Sequence, residues 1–257
     1  MIKISRGLDI PIAGAPDQKI EAAPAARAVA MLGDDYVGMK PTMAVQEGDR
    51  VKRGQPLFSC KKSNGVVYTA PAGGTVSAGN RGARRVLQSV VIDIDGENEA
   101  AVSFASYDAH TARTLDRATV RAQLAESGQW SALRTRPFSQ VPSVDDEATA
   151  IFVNAHDTNP LAANPTLIIN EQPEAFALGL DLLAGQTDGL LHLCVAPGAE
   201  LPQGDAQNVQ RTEFAGPLPA WLTGTHGHFL HGASVDRPVW TIGYQDVIAI
   251  GRLFLDG

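Results

Sequence analysis

The 257-residue chain contains only two cysteines, Cys60 and Cys194. They lie far apart and fit no CxxC or Cys/His metal spacing, so an internal disulfide or iron–sulfur cluster is not expected and two reduced thiols are. Cations are in the minority too: 21 Lys plus Arg face 28 Asp plus Glu, a net charge of −7. That is the wrong balance for neutralising a phosphate backbone, which argues against nucleic acid as a partner. Long apolar runs are missing. Gly189 to Pro197 and Val239 to Ile250 are short or interrupted, below the roughly 20 residues a membrane-crossing helix needs. No basic head followed by an apolar segment opens the chain, because Lys3 and Arg6 lead straight into GLDIPIAGAP, so export by such a leader is not expected. Nor is there a GxGxxG after a strand, a GxxxxGK[ST] or a GxSxG, which removes the dinucleotide, P-loop and hydrolase-elbow fingerprints.

What is present is enough for two modest cores: 44% of the residues are apolar and 25 are glycine, and domains usually hold roughly 100 to 200 residues. Residues 1–25 lack a sustained period and read as an extended arm ordered by contact with a folded body. From residue 26 to about 98, short β-type runs broken by Gly and Pro predict a small β-sandwich or barrel. Within it, VQEGDRVKRGQPLF (Val45 to Phe58) followed by APAGGTV (Ala70 to Val76) resembles the biotinyl/lipoyl carrier fold, with Val45, Val51 and Leu57 pointing inward. Carriers place a modified lysine on the hairpin between these blocks. Here that hairpin is SCKKSNG (Ser59 to Gly65), so Lys61 and Lys62 are the candidates. Neither sits in the tripeptide the modifying enzymes recognise, and an ordinary hairpin with Asn64-Gly65 as a type I′ turn is preferred.

The polar stretch DGENEA marks a boundary, and residues 99–257 read as α/β. A helix capped by Thr114 or Asp116 carries Val120 and Leu124 on one face and stops at Gly128. Ala148 to Val153 and Gly189 to Val195 are apolar runs of the kind found in buried parallel strands, and Glu174 to Leu183 is helical. Val239 to Leu255 reads as β-rich. His156-Asp157 resembles an acid/base pair, but adjacent strand residues face opposite ways, so turn residues are expected.

Three further clusters carry chemistry. In GTHGHFLHG, a strand would put His226 and His228 on one side, with His231 nearby, as candidate ligands for a transition metal. No fourth ligand has suitable spacing, and a loop whose histidines donate to backbone carbonyls is the preferred reading. In WSALRTRPF, Trp130, Arg134, Arg136 and Phe138 combine aromatic faces with guanidinium donors able to hold a flat headgroup by stacking and by bonding its carbonyls. Their structural alternative is burial of the aromatics between domains with the arginines in surface ion pairs. LGDDYVGM offers Leu32, Tyr36 and Met39 beside two acidic residues, and loop packing accounts for it equally.

Seven stretches, GLDIPIAGAP, LGDDYVGMKP, NRGARRVLQSVVI, ALRTRPF, DTNPLAANP, GTHGHFL and VWTIGYQDVIAIGRLF, resemble in order the family formed by the peripheral subunit of the bacterial sodium-translocating NADH:quinone oxidoreductase. Together they run from end to end of the chain. The resemblance implies a biotinyl/lipoyl-like barrel-sandwich hybrid followed by a degenerate Rossmann-like domain related to the NADH-binding subunit of complex I, binding neither FMN nor NADH. It implies a peripheral location on the cytoplasmic side of the inner membrane, docked on a membrane subunit of a complex that oxidises NADH, reduces ubiquinone and exports sodium. FAD, FMN, riboflavin and Fe–S centres would belong to partner subunits. Family members continue into a soluble-ligand-binding β-grasp domain and a helical domain, which implies that this sequence is a fragment. The family's association with quinone falls on the segments Leu32 to Met39 and Trp130 to Phe138, making Leu32, Tyr36, Met39, Trp130, Arg134, Arg136 and Phe138 the implied quinone contacts. A scaffold without ligand is the competing expectation, and a lysine-modified carrier is a third.

Overall fold

The structure, a computed structural model, describes residues 1–96 and 100–257. The boundary expected at residue 98 lies outside the described residues. The chain opens with β1 (Ile2–Lys3), followed by β2 (Ala28–Leu32), β3 (Pro41–Met43), β4 (Arg50–Val51), β5 (Pro56–Cys60), β6 (Val67–Thr69), β7 (Gly74–Arg81) and β8 (Leu87–Ile94). Among the described residues β2, β8, β7 and β4 form one antiparallel sheet, and β3, β5 and β6 a second. The inward set of the carrier-like repeat builds this core: Leu57 and Phe58 are fully buried, and Val51 and Val76 nearly so. Burying one face of each short strand is what holds such small sheets together.

The second half contains α1 (Ala109–Arg113), α2 (Arg117–Ser127), β9 (Arg134–Arg136), β10 (Ala148–Ala155), α3 (Pro165–Glu171), α4 (Pro173–Ala184), β11 (Thr187–Val195), β12 (Val209–Ala215), α5 (Thr223–Leu230), β13 (Val239–Gly243) and α6 (Tyr244–Asp256). Its strands pair in the order β1-β12-β11-β10-β13-β9, parallel except for β9 at one edge. Ala150, Ile151, Phe152 and Val153 of β10 have no exposed surface, the continuous apolar run of a strand covered on both faces. The Asp116 carboxylate accepts from the Thr119 N–H at 2.7 Å and starts α2. Gly128, at φ 82°, ends it in the left-handed conformation that glycine adopts without strain.

Three local expectations are overturned. The stretch from Val239 is a strand only to Gly243 and then becomes α6. Tyr244, Val247, Ile248, Gly251 and Phe254 recur at helical spacing, and all five are buried. GTHGHFL is the helix α5, not a strand, so positions two apart turn to different faces and His226 is buried while His228 is exposed. The hairpin after β5 is not a type I′ turn, since Gly65 has φ 74° but Asn64 does not have positive φ. The Asn64 backbone is held instead by the other half of the molecule, its N–H donating to Ser143 Oγ at 3.0 Å and its carbonyl accepting from Val144 N at 2.9 Å.

The halves share one core. Phe58 and Tyr68 belong to the same buried cluster as Trp130, Leu178 and Trp240. Where helices α4 and α6 cross, a Cβ at Gly251 would fall 1.8 Å from the Ala175 carbonyl oxygen and one at Gly179 2.1 Å from that of Val247. Two glycines thus set the closest approach of this helix pair.

Candidate functional site

The two segments marked by resemblance meet at the seam between the halves. Arg134, the first residue of β9, turns its guanidinium back over the 32–39 segment, 5.1 Å from the Tyr36 ring centroid, and its Nη2 donates to the Asp35 carbonyl at 3.3 Å. Nη1 donates to the carbonyls of Leu133 and Ser131. The Arg134 carbonyl in turn accepts from Thr241 Oγ1, tying β9 to β13. Burial raises the Tyr36 phenol above its ordinary pKa, opposed by Arg134 and by a hydrogen bond with the Ser131 side chain.

Behind Tyr36 lie residues from the carrier-like hairpin. Tyr68 packs edge-on against Tyr36 with centroids 4.5 Å apart and stacks on Phe58 at 4.7 Å. A crevice of about 30 Å³ is lined by Tyr36, Met39, Cys60, Lys62, Tyr68 and Gln140, among others. Burial raises the Cys60 thiol, but backbone N–H groups of Lys40, Lys62 and Ser63 outweigh it and hold the thiol below its ordinary value. Burial, with Cys60 adding to it, pushes the Tyr68 phenol up. Burial likewise raises the Asp246 carboxyl, against the pull of Arg134.

The expected contacts divide accordingly. Tyr36, Met39 and Arg134 come together. Leu32 lies at the end of β2, 47% exposed. Trp130 has no exposed surface; its indole N–H donates to the Pro142 carbonyl at 2.9 Å and its ring meets Trp240 edge-on at 5.3 Å. It is a core residue and offers no face to a ligand. Arg136 points elsewhere, to Thr223 Oγ1 of α5 at 3.1 Å, and burial lowers its pKa. Phe138 is 65% exposed at φ 81°, with Ser139 beside it at φ 55°. A bulky aromatic held in the left-handed region and turned to solvent is a strained arrangement of the kind that collects at functional loops. Cys60, Tyr68, Gln140 and Asp246 were not among the expected contacts. Their strand and loop positions read locally as ordinary core or turn, and only the docking of the halves brings them here.

The lysine hairpin is fastened at the same seam. Besides the Asn64 backbone, Asn64 Nδ2 donates to Asp145 Oδ2 at 2.7 Å and Ser63 Oγ to the Val141 carbonyl at 3.1 Å. Lys61 and Lys62 are exposed, but the tip carrying them is held against residues 141–145.

The histidines do not form a ligand set. His226 is buried against the Phe214 ring, its Nε2 2.9 Å from the Ala220 carbonyl, and burial lowers its pKa to about 4. His231 Nε2 lies 3.0 Å from Thr149 Oγ1. Among the described residues no group of three or more His, Cys, Asp and Glu is arranged to hold a metal ion, and no helix is long and apolar enough to cross a membrane. At the end of β10, His156 is buried and Asp157 Oδ1 accepts from the Asn159 N–H at 2.8 Å, a local turn.

A barrel-sandwich hybrid sealed by its own hairpin onto a parallel α/β sheet defines a protein that has the carrier fold without a carrier's free arm. Residues 2–95 match the NqrA N-terminal barrel-sandwich hybrid domain and residues 115–257 the NqrA second alpha/beta domain. The chain belongs to the NqrA family. Over all 257 residues it is 55% identical to the NqrA subunit of the Na(+)-translocating NADH-quinone reductase of Vibrio atlanticus, 56% to that of Saccharophagus degradans and 53% to that of Neisseria gonorrhoeae. It spans 57% of the length of each.

Proposed function

We propose that the chain serves as the corresponding part of the NqrA subunit in a sodium-translocating NADH:quinone reductase, and that its seam contacts the quinone headgroup. In this reading it sits peripherally on the cytoplasmic side of the inner membrane, against a membrane subunit. Partner subunits carry FAD, FMN, riboflavin and Fe–S centres and move the electrons from NADH to ubiquinone while sodium is exported. The chain's own contribution is to assembly and to positioning the quinone.

The observation that carries the quinone reading is the convergence of Tyr36 and Arg134, 98 positions apart in sequence, with Arg134 over the Tyr36 ring. A guanidinium has five N–H donors, and three bonds go to the Ser131, Leu133 and Asp35 carbonyls. Donors remain for a quinone carbonyl. Phe138, exposed on the loop that also supplies Gln140, offers an aromatic face. The crevice is too small for a ring, so the proposal rests the headgroup at its mouth. Photocrosslinking with an azido-ubiquinone tests this: labelled peptides from residues 32–41 and 134–141 are expected, and labelling confined to other regions would refute it. One observation favours a ligand-free scaffold instead, namely that the hairpin tip already fills the seam with hydrogen bonds to residues 141–145. Absence of labelling at both segments would select it.

A further inference from the structure

A second concavity involves none of these residues. It is a groove of about 430 Å³ between the first residues of the chain and helix α5, within the range of about 300–1,000 Å³ typical of small-molecule sites. Its floor and far wall are apolar: Ile4, Pro219 and Phe229. Phe229 leaves 53% of its surface open to solvent, although an aromatic ring of that size gains from being covered. The near rim is cationic. Lys3 and Arg6 line the groove and are exposed, and neither side chain has a partner among the described residues. The first turn of α5 also faces it through Gly224 and Thr225, and that helix starts at Leu222 with no capping side chain. Its leading N–H groups therefore add positive potential on the side where the floor ends.

An apolar trough with two unpaired cations at one rim is complementary to a molecule with a hydrocarbon body and one anionic end. We propose that this groove binds a free single-chain amphiphile with a carboxylate head, its chain along Ile4, Pro219 and Phe229 and its head at Arg6 and Lys3. The groove is concave and holds one chain, which fits a solitary amphiphile. A bilayer would require a convex apolar face.

The test is calorimetric titration of the 257-residue chain with decanoate below its micelle concentration, beside nonionic decyl maltoside and vesicles containing phosphatidylglycerol. Saturable 1:1 binding of decanoate is expected, weakened about tenfold by Phe229→Ser and separately by Arg6→Glu, with far weaker binding of the nonionic probe. Both substitutions are at exposed positions, and an unchanged circular dichroism spectrum confirms the fold. Should Phe229→Ser unfold the chain, Lys3→Glu provides a second charge variant. Equal binding of decyl maltoside, decanoate binding untouched by the variants, or binding to vesicles alone would each overturn the proposal.

Discussion

Arg134 stands over the ring of Tyr36 at 5.1 Å and bonds the carbonyl of the residue before it, so a single guanidinium joins the first half of the chain to the edge strand of the second. Lysine cannot reproduce both a planar stack and several directed N–H bonds. Arg134→Lys is expected to cost about 1 kcal/mol of stability, and a double-mutant cycle with Tyr36→Leu to show coupling of roughly 0.5–2 kcal/mol. Urea unfolding of the four proteins measures it, and strictly additive effects would deny the contact.

Trp130 separates structure from function at the same place. Because it is fully buried with its N–H on Pro142, Trp130→Phe leaves a buried carbonyl without its donor and should lower stability by about 1–3 kcal/mol. Quinone affinity should not change. A loss of affinity without loss of stability would return Trp130 to the ligand.

The hairpin tip should be rigid on the hydrogen-exchange timescale. Gly65 has φ 74° and a Cβ there would meet the Val144 side chain at 3.0 Å, so Gly65→Ala strains the backbone and loosens the docking together. Faster exchange and proteolysis at residues 61–65 are expected, with a cost of about 1–2 kcal/mol. Unchanged protection would mean the docking bonds do not hold the tip.

Acid should destabilise the protein before its carboxylates protonate. Burial lowers the pKa of both His192 and His226 to about 4, against 6.5 ordinarily. The unfolded chain therefore binds more protons at these positions than the folded chain does. Stability is full above about pH 6.5 and falls as the pH drops toward 4, by about 2 kcal/mol for each histidine between pH 7 and 5. Neither ring nitrogen of His192 has a partner and its ring stacks on Phe152 at 4.7 Å. His192→Leu should therefore leave stability at pH 7 nearly unchanged while removing about half of that slope. Denaturant midpoints across this range decide the matter.

How far the sequence reveals this molecule depends on which forces act locally. Helix α2 is legible because its cap, apolar face and stop all lie within a dozen residues, and β10 and β11 because a strand buried on both faces must be continuously apolar. Helix α6 is not, because the β-branched residues of VWTIGYQDVIAIG continue through Gly243, where the period changes from two to 3.6. The strand reading of His226 and His228 fails for a similar reason: two glycines argued against a helix that tertiary packing stabilises anyway. At the seam, the segments of Tyr36 and Arg134 were visible as residue types suited to a flat headgroup. Tyr68 and Cys60 were not, because their place there is set by how two cores dock and no local pattern encodes it.

The most direct test of the account is titration of the chain with a short-chain ubiquinone by calorimetry, repeated for Tyr36→Leu, Arg134→Gln and Phe138→Ser. The account predicts saturable binding, at least about tenfold weaker in the Arg134 variant and weakened in the other two. Absence of saturable binding, or an affinity indifferent to all three substitutions, would contradict it.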